Sequence, residues 1–251
     1  MIETQLFFLL VLVGVVGGVV GGMGGPGGIP VVVSLNLLLV LTPSIAAATA
    51  SSIFVVSTTI ATGMYSYSDG IDWGLAAVVG IPALVGTHAG ARVSTVLSVR
   101  LFEYVLGGVF LLVAVGVWYQ QQKEQSSTRH NDRGRKTTAL IGVGSLLIGT
   151  VAGITGLGGP ALTVPFMMLL GIGPVTAVGA GLASGILITV NTTLGHAVQG
   201  NLPALVPLVV IGVPYVVSQV LGWKYVHSVS ERTVSYSIAA VAALGGVVVL
   251  V

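Results

Sequence analysis

Polar side chains are sparse along this chain, and their positions divide it into two matching series of apolar runs. The first series covers 6–21, 29–41, 43–64, 74–97 and 99–118. The second covers 138–154, 164–170, 174–199, 203–226 and 229–251. No Asp, Glu, Lys or Arg lies between Glu3 and Asp69, and none between Lys136 and Lys224. Continuous apolar runs of this length predict membrane-crossing helices, since about 20 residues at about 1.5 Å each span a bilayer core. Transmembrane strands would instead alternate with period two. The runs 29–41 and 164–170 are short for a crossing.

Each short run follows a glycine–proline stretch. The first reads Gly22-Met23-Gly24-Gly25-Pro26-Gly27-Gly28-Ile29-Pro30. The second reads Gly156-Leu157-Gly158-Gly159-Pro160, with Pro165 five residues on. Glycine adds backbone entropy cost and proline removes a donor, so each stretch predicts an interruption of a hydrophobic helix. Backbone freed from hydrogen bonding at membrane depth survives only packed in protein or beside a wet cavity. The two interruptions therefore read as the two halves of one substrate site.

Composition sharpens the class. Of 251 residues 54% are hydrophobic and 6% charged, where a soluble domain carries about a quarter charged. The formal charge of +2 is ordinary for a membrane protein with basic loops and does not argue for nucleic acid. Cysteine is absent, which removes disulfides, thiolate metal sites and cysteine nucleophiles. No cofactor or metal is implied. Residues 1–5 lack the basic region of a signal peptide, so 6–21 reads as a first membrane segment.

The two series also match residue by residue. Gly80-Ile81-Pro82 pairs with Gly212-Val213-Pro214 at an offset of 214 − 82 = 132. At that offset Gly90 meets Gly222, Arg92 meets Lys224, and Ser98, Arg100 and Tyr104 meet Ser230, Arg232 and Tyr236. The glycine strings match at 156 − 22 = 134. The fold expected is an all-α integral membrane bundle of two homologous repeats with broken helices at the glycine motifs. Residues 1–119 form the first repeat, 120–137 a basic cytoplasmic loop and 138–251 the second repeat. Five crossings per half, an odd number, would make the repeats inverted, the arrangement expected here; if the short runs 29–41 and 164–170 do not cross, each half has four crossings and the repeats run parallel. With the loop carrying Lys123, Arg129, Arg133, Arg135 and Lys136 inside, the Lys224–Arg232 region also falls inside, but the equivalent Arg92–Arg100 region falls outside.

Two G-x-G-G-P strings, each followed by a proline and then by a helix of proline, alanine and small hydroxyl residues, resemble the TauE/SafE family of sulfite exporters and sulfonate permeases. The family's Ala–Val–Gly–Thr–Ser stretch corresponds to Ala177-Val178-Gly179-Ala180-Gly181 in the second half and Ala47-Ala48-Thr49-Ala50 in the first. Gly70 and Gly200 open the following loops. The chain departs from that pattern in its Thr–Ser pair and in Pro26 and Pro160, which stand where the family has a third glycine. The resemblance implies multi-pass transport of a small anion, sulfite or an organosulfonate, across the plasma (inner) membrane of a prokaryote.

The residues alone lead to a compatible site. A helix N-terminus presents unsatisfied N–H groups and a positive dipole end, which bind anions without a fixed cation. Candidate substrate ligands are Gly24, Gly25, Gly158 and Gly159 through backbone, and Thr49, Ser52, Ser184 and Asn191 through side chains. Against them stand close packing for single glycines and carbonyl bonding within the helix for the hydroxyls. His88 and His196, in apolar segments, are candidates for a coupling proton, opposed by a neutral histidine bonded to a neighbouring backbone. The expected partners are the anion and the lipid bilayer; a homo-oligomer and proton coupling are left open. A passive anion channel is the rival function. An intramembrane protease built on Ser184 and His196 fails, because twelve residues on one helix separate them by about 18 Å.

Overall fold

A backbone that cannot bond to water must bond to itself, and the apolar runs do so as helices. The computed structural model describes residues 4–68, 70–123, 135–226, 240 and 243–250. Its helices are α1 (Thr4–Gly22), α2 (Gly28–Leu37), α3 (Pro43–Ser68), α4 (Trp73–Ser94), α5 (Val99–Lys123), α6 (Arg135–Thr155), α7 (Pro160–Leu169), α8 (Pro174–Val198) and α9 (Leu205–Val226). Residues 243–250 are also helical; the rest of the expected run 229–251 lies outside the described residues, apart from residue 240. Seven of these helices are long and apolar enough to cross a membrane. The other two, α2 and α7, have 10 residues each, about 15 Å at 1.5 Å per residue, or half a bilayer core.

Two expected boundaries move. The loop expected over 120–137 is partly helical, since α5 continues to Lys123 and α6 opens at Arg135. Residues 124–134, with Arg129 and Arg133, lie outside the described residues, as does Asp69. Tyr65 sits within α3, which ends at Ser68. Asp72 caps α4: its carboxylate accepts the Leu75 N–H at 2.7 Å, satisfying one of the orphan donors of the first turn.

At the glycine–proline stretches the chain turns back; it does not continue along one rod. Phe166, six residues into α7, packs against Gly144, eleven residues before the end of α6. A helix running onward would carry Phe166 far beyond α6. In the first half Gly27 likewise lies beside α1, where a Cβ on Gly17 would come 2.7 Å from its carbonyl oxygen. The backbone also realigns the two turns. Gly24 and Gly156 hold the left-handed φ values of +80° and +70°, and α2 and α7 start at Gly28 and Pro160. Both pairs are 132 apart (156 − 24 and 160 − 28), the offset of the Pro82 and Pro214 pair. The string match at 134 is a two-residue slip, because identity of letters is not identity of backbone role.

Glycines set the closest helix approaches. Along α1 and α9, Gly14 faces Pro214, Gly17 faces Tyr215 and Gly22 faces Trp223, so these helices run parallel. Along α4 and α6, Gly86 faces Thr150 and Gly90 faces Ile154, again parallel. Helices α3 and α8, the most enclosed of the long helices, run antiparallel. The Thr193 hydroxyl donates to Ser51 Oγ at 3.0 Å, the Thr58 and Thr189 hydroxyls lie 3.5 Å apart, and Gly179 faces Gly70. The largest buried apolar cluster joins α1, α2, α3, α5 and α9 around Leu10, Val32, Phe54, Phe102 and Ile211.

Candidate functional site

The two glycine turns meet. A cavity of about 30 Å³ is lined from the first turn by Gly21, Gly25, Gly27 and Gly28, and from the second by Gly158, Pro160 and Ala161. The antiparallel pair adds Phe54, Ser57, Thr58 and Leu182, and α9 adds Tyr215 and Gln219. Phe54 and Thr58 fall near the middle of α3, and Tyr215 near the middle of α9, so the cavity sits at mid-height of these helices. None of the lining residues is charged. A volume of this size holds two or three waters, at roughly 10–15 Å³ each on this measure.

The backbone of the turns supplies donors. Gly24 N–H donates to Gly21 O at 3.1 Å, Gly25 N–H to Val20 O at 3.0 Å, and Gly27 N–H to Gly25 O at 2.9 Å. In the second turn Gly156 N–H donates to Ala152 O at 2.8 Å, Leu157 N–H to Thr155 Oγ1 at 3.3 Å, and Ala161 N–H to Gly158 O at 3.1 Å. Among the described residues, no acceptor meets the N–H of Gly28, Gly158 or Gly159. Gly28 and Gly158 are both cavity-lining. They stand at the starts of α2 and α7, where orphan amides and the positive dipole end coincide.

Phe54 divides the space between the turns. A Cβ on Gly28 would come 2.9 Å from its ring, and one on Gly158 would come 3.2 Å from it. Tyr215 packs edge-on to Phe54 with ring centroids 5.6 Å apart. Gln219, 2% exposed, donates from Nε2 to the Ser57 carbonyl at 3.1 Å, while its Oε1 has no partner among the described residues.

The residues expected at the site divide. Gly25 and Gly158 line the cavity together; Gly24, Gly159, Thr49, Ser52, Ser184, Asn191, His88 and His196 do not. Gly24 faces Val178, and Gly159 lies where a Cβ would be 2.7 Å from Gly185 Cα. The Thr49 hydroxyl donates to Ile45 O at 2.7 Å and accepts Ala204 N–H at 2.9 Å, tying α3 to the segment before α9. Ser52 and Ser184 donate to carbonyls of their own helices, Ala48 at 2.7 Å and Gly181 at 3.2 Å. Asn191 bridges α8 to α4 through Leu84 O at 2.9 Å and Thr87 Oγ1 at 2.5 Å. His88 is exposed on α4. His196 is fully buried, with Nε2 3.0 Å from Gly153 O and Nδ1 without a partner among the described residues.

Phe54, Ser57, Thr58, Leu182, Tyr215 and Gln219 are side chains of the lining that sequence reasoning passed over as site candidates. One signal was available for Gln219: it is a carboxamide in a run otherwise apolar from 204 to 223 except for Tyr215 and Ser218. Nothing in the sequence distinguishes Phe54 from its apolar neighbours.

Comparison with protein families matches the description "Sulfite exporter TauE/SafE" over residues 9–249. Comparison with curated proteins and with solved structures returns no match. The family match takes in both glycine turns and every residue of the cavity lining. Together with seven helices of membrane-crossing length, it identifies a multi-pass membrane transporter, not an enzyme: the chain belongs to the sulfite exporter TauE/SafE family.

Proposed function

We propose that the protein carries a small oxyanion, such as sulfite or a small organosulfonate, by alternating access, with the anion held between the N-termini of α2 and α7. The observation that carries this reading is the convergence of both glycine turns on one uncharged, mid-height cavity whose Gly28 and Gly158 amides have no acceptor among the described residues. Two helix N-termini attract a negative charge without the cost of a buried Lys or Arg. A site built of amides also releases its ligand more readily than an ion pair would. Alternating access requires the two turns to part around the anion, and such a change of width is what a carrier needs.

Inverted repeats supply a route to that change. The reading is supported by the antiparallel α3 and α8, by the parallel pairs α1 with α9 and α4 with α6, and by Thr58 meeting Thr189. Exchanging the halves converts α1–α9 into α6–α4 and leaves α3–α8 in place. We assign His196 as the candidate coupling group, since its Nε2–H to Gly153 O leaves Nδ1 free to take a proton.

The test is flux in proteoliposomes with sulfite, sulfoacetate, sulfate and chloride, with and without a proton gradient. Saturable sulfite or sulfonate flux is expected, with its gradient dependence lost in His196→Gln. Non-saturating flux that includes chloride would replace the carrier by a channel.

A further inference from the structure

Resting on the anion-carrier reading, we infer that the cavity takes an oxyanion bearing one hydroxyl, a singly protonated acid, with Gln219 Oε1 accepting that hydroxyl. The orientation of the Gln219 amide follows from its neighbour. The Ser57 carbonyl at 3.1 Å can only accept, so the atom facing it is the NH₂ group and the other is the oxygen. That oxygen is buried in a residue 2% exposed and has no donor among the described residues.

The hydroxyls of Ser57, Thr58 and Tyr215 can each donate as well as accept, and Thr58 donates to Phe54 O at 2.7 Å. The Gly28 and Gly158 amides offer N–H without an acceptor among the described residues. The lining therefore presents unfilled donors from two helix starts and, on α9, one side-chain atom that can only accept and has no donor among the described residues. A fully deprotonated oxyanion complements the donors and leaves Gln219 Oε1 unpaired, or opposes it with a lone pair. A monoanion with one O–H complements both sets. Sites built to hydrogen-bond a ligand hydroxyl discriminate strongly against analogues that lack it, because the buried partner is then orphaned.

The experiment measures uptake of labelled hydrogensulfite into proteoliposomes at mildly acidic pH and its competition by methanesulfinate, which has the same charge and a methyl in place of the hydroxyl. Wild-type protein should bind methanesulfinate at least roughly ten-fold more weakly, the discrimination expected of one lost hydrogen bond. In Gln219→Met, which keeps the volume and removes the acceptor, the two anions should come within about three-fold of each other. Equal competition in the wild type overturns the inference, and that measurement needs no variant. Discrimination that persists in Gln219→Met also overturns it, because the preference then comes from the methyl group's bulk. In both of those cases anion uptake itself survives. Absence of uptake of either anion by the wild type instead removes the carrier reading, and this inference with it.

Discussion

Gly156 shows how one position can be over-determined. Its φ of +70° is a region where other residues are strained, and a Cβ there would come 2.5 Å from Ala47 Cα on α3. Gly70 has a similar φ of +73° but nothing within 4 Å of an added Cβ. Gly70→Ala should therefore cost only the left-handed penalty, about 1–2 kcal/mol. Gly156→Ala must also push α3 away from the turn, and should lower the thermal unfolding temperature in detergent by several times as much. Equal shifts would show that the Ala47 contact is not tight. At this scale the sequence was informative about which glycines matter and uninformative about why. Gly25 and Gly158 reach the cavity, whereas Gly24 and Gly159 are consumed by backbone conformation and by packing on Gly185. All four look alike as letters, because a glycine leaves no side chain to indicate what it faces. The hydroxyl candidates failed to reach the cavity for a related reason. Thr49, Ser52 and Ser184 have carbonyls within reach on their own helix, and that bond needs no partner from elsewhere.

Helix positions along the chain were legible to within a few residues, because lipid demands unbroken apolar runs and proline and glycine punctuate them. Direction was not legible. Hydropathy is blind to whether a chain leaving Gly22 or Thr155 continues or doubles back, and the reversal shows only in contacts such as Gly27 beside Gly17 and Phe166 against Gly144. Partner choice was equally hidden: α1 lies along α9 of the other half, and α6 along α4. Two kinds of bond hold such pairs, and their magnitudes differ. The Asn191 bridge from α8 to α4 is an interhelical hydrogen bond, worth about 0.6–2 kcal/mol in a membrane. The α4–α6 contact instead depends on backbone proximity at Gly90, where a Cβ would lie 2.9 Å from Ile154 N. Gly90→Val cannot be absorbed by a rotamer change and has to separate the helices. It should reduce the folded yield far more than Asn191→Leu, whose loss should stay near the hydrogen-bond value, as read by size-exclusion chromatography and thermal melting. The reverse order would mean that polar bridging dominates over packing here.

The molecule as a whole presents apolar side chains outward, among them Leu112, Val85, Leu205 and Val213, all more than half exposed, as a lipid-facing surface requires. The proposed inversion predicts that Tyr67 and Val198, at the ends of α3 and α8 and exposed by 96% and 81%, face opposite sides of the membrane. Because the chain has no cysteine, Tyr67→Cys and Val198→Cys can each be labelled without background. Labelling of the two from opposite sides is expected, and labelling from the same side contradicts inversion. The central claim, that two glycine turns from the two halves enclose one anion site, meets its most direct test in sulfite flux through Gly158→Val. A Cβ at Gly158 already touches Phe54 at 3.2 Å, and two further methyl groups fill a cavity of about 30 Å³. Gly63→Val, with nothing within 4 Å of an added Cβ, is the matched control. The account predicts that Gly158→Val folds like the control and loses sulfite flux while Gly63→Val keeps it; full flux through folded Gly158→Val would contradict it.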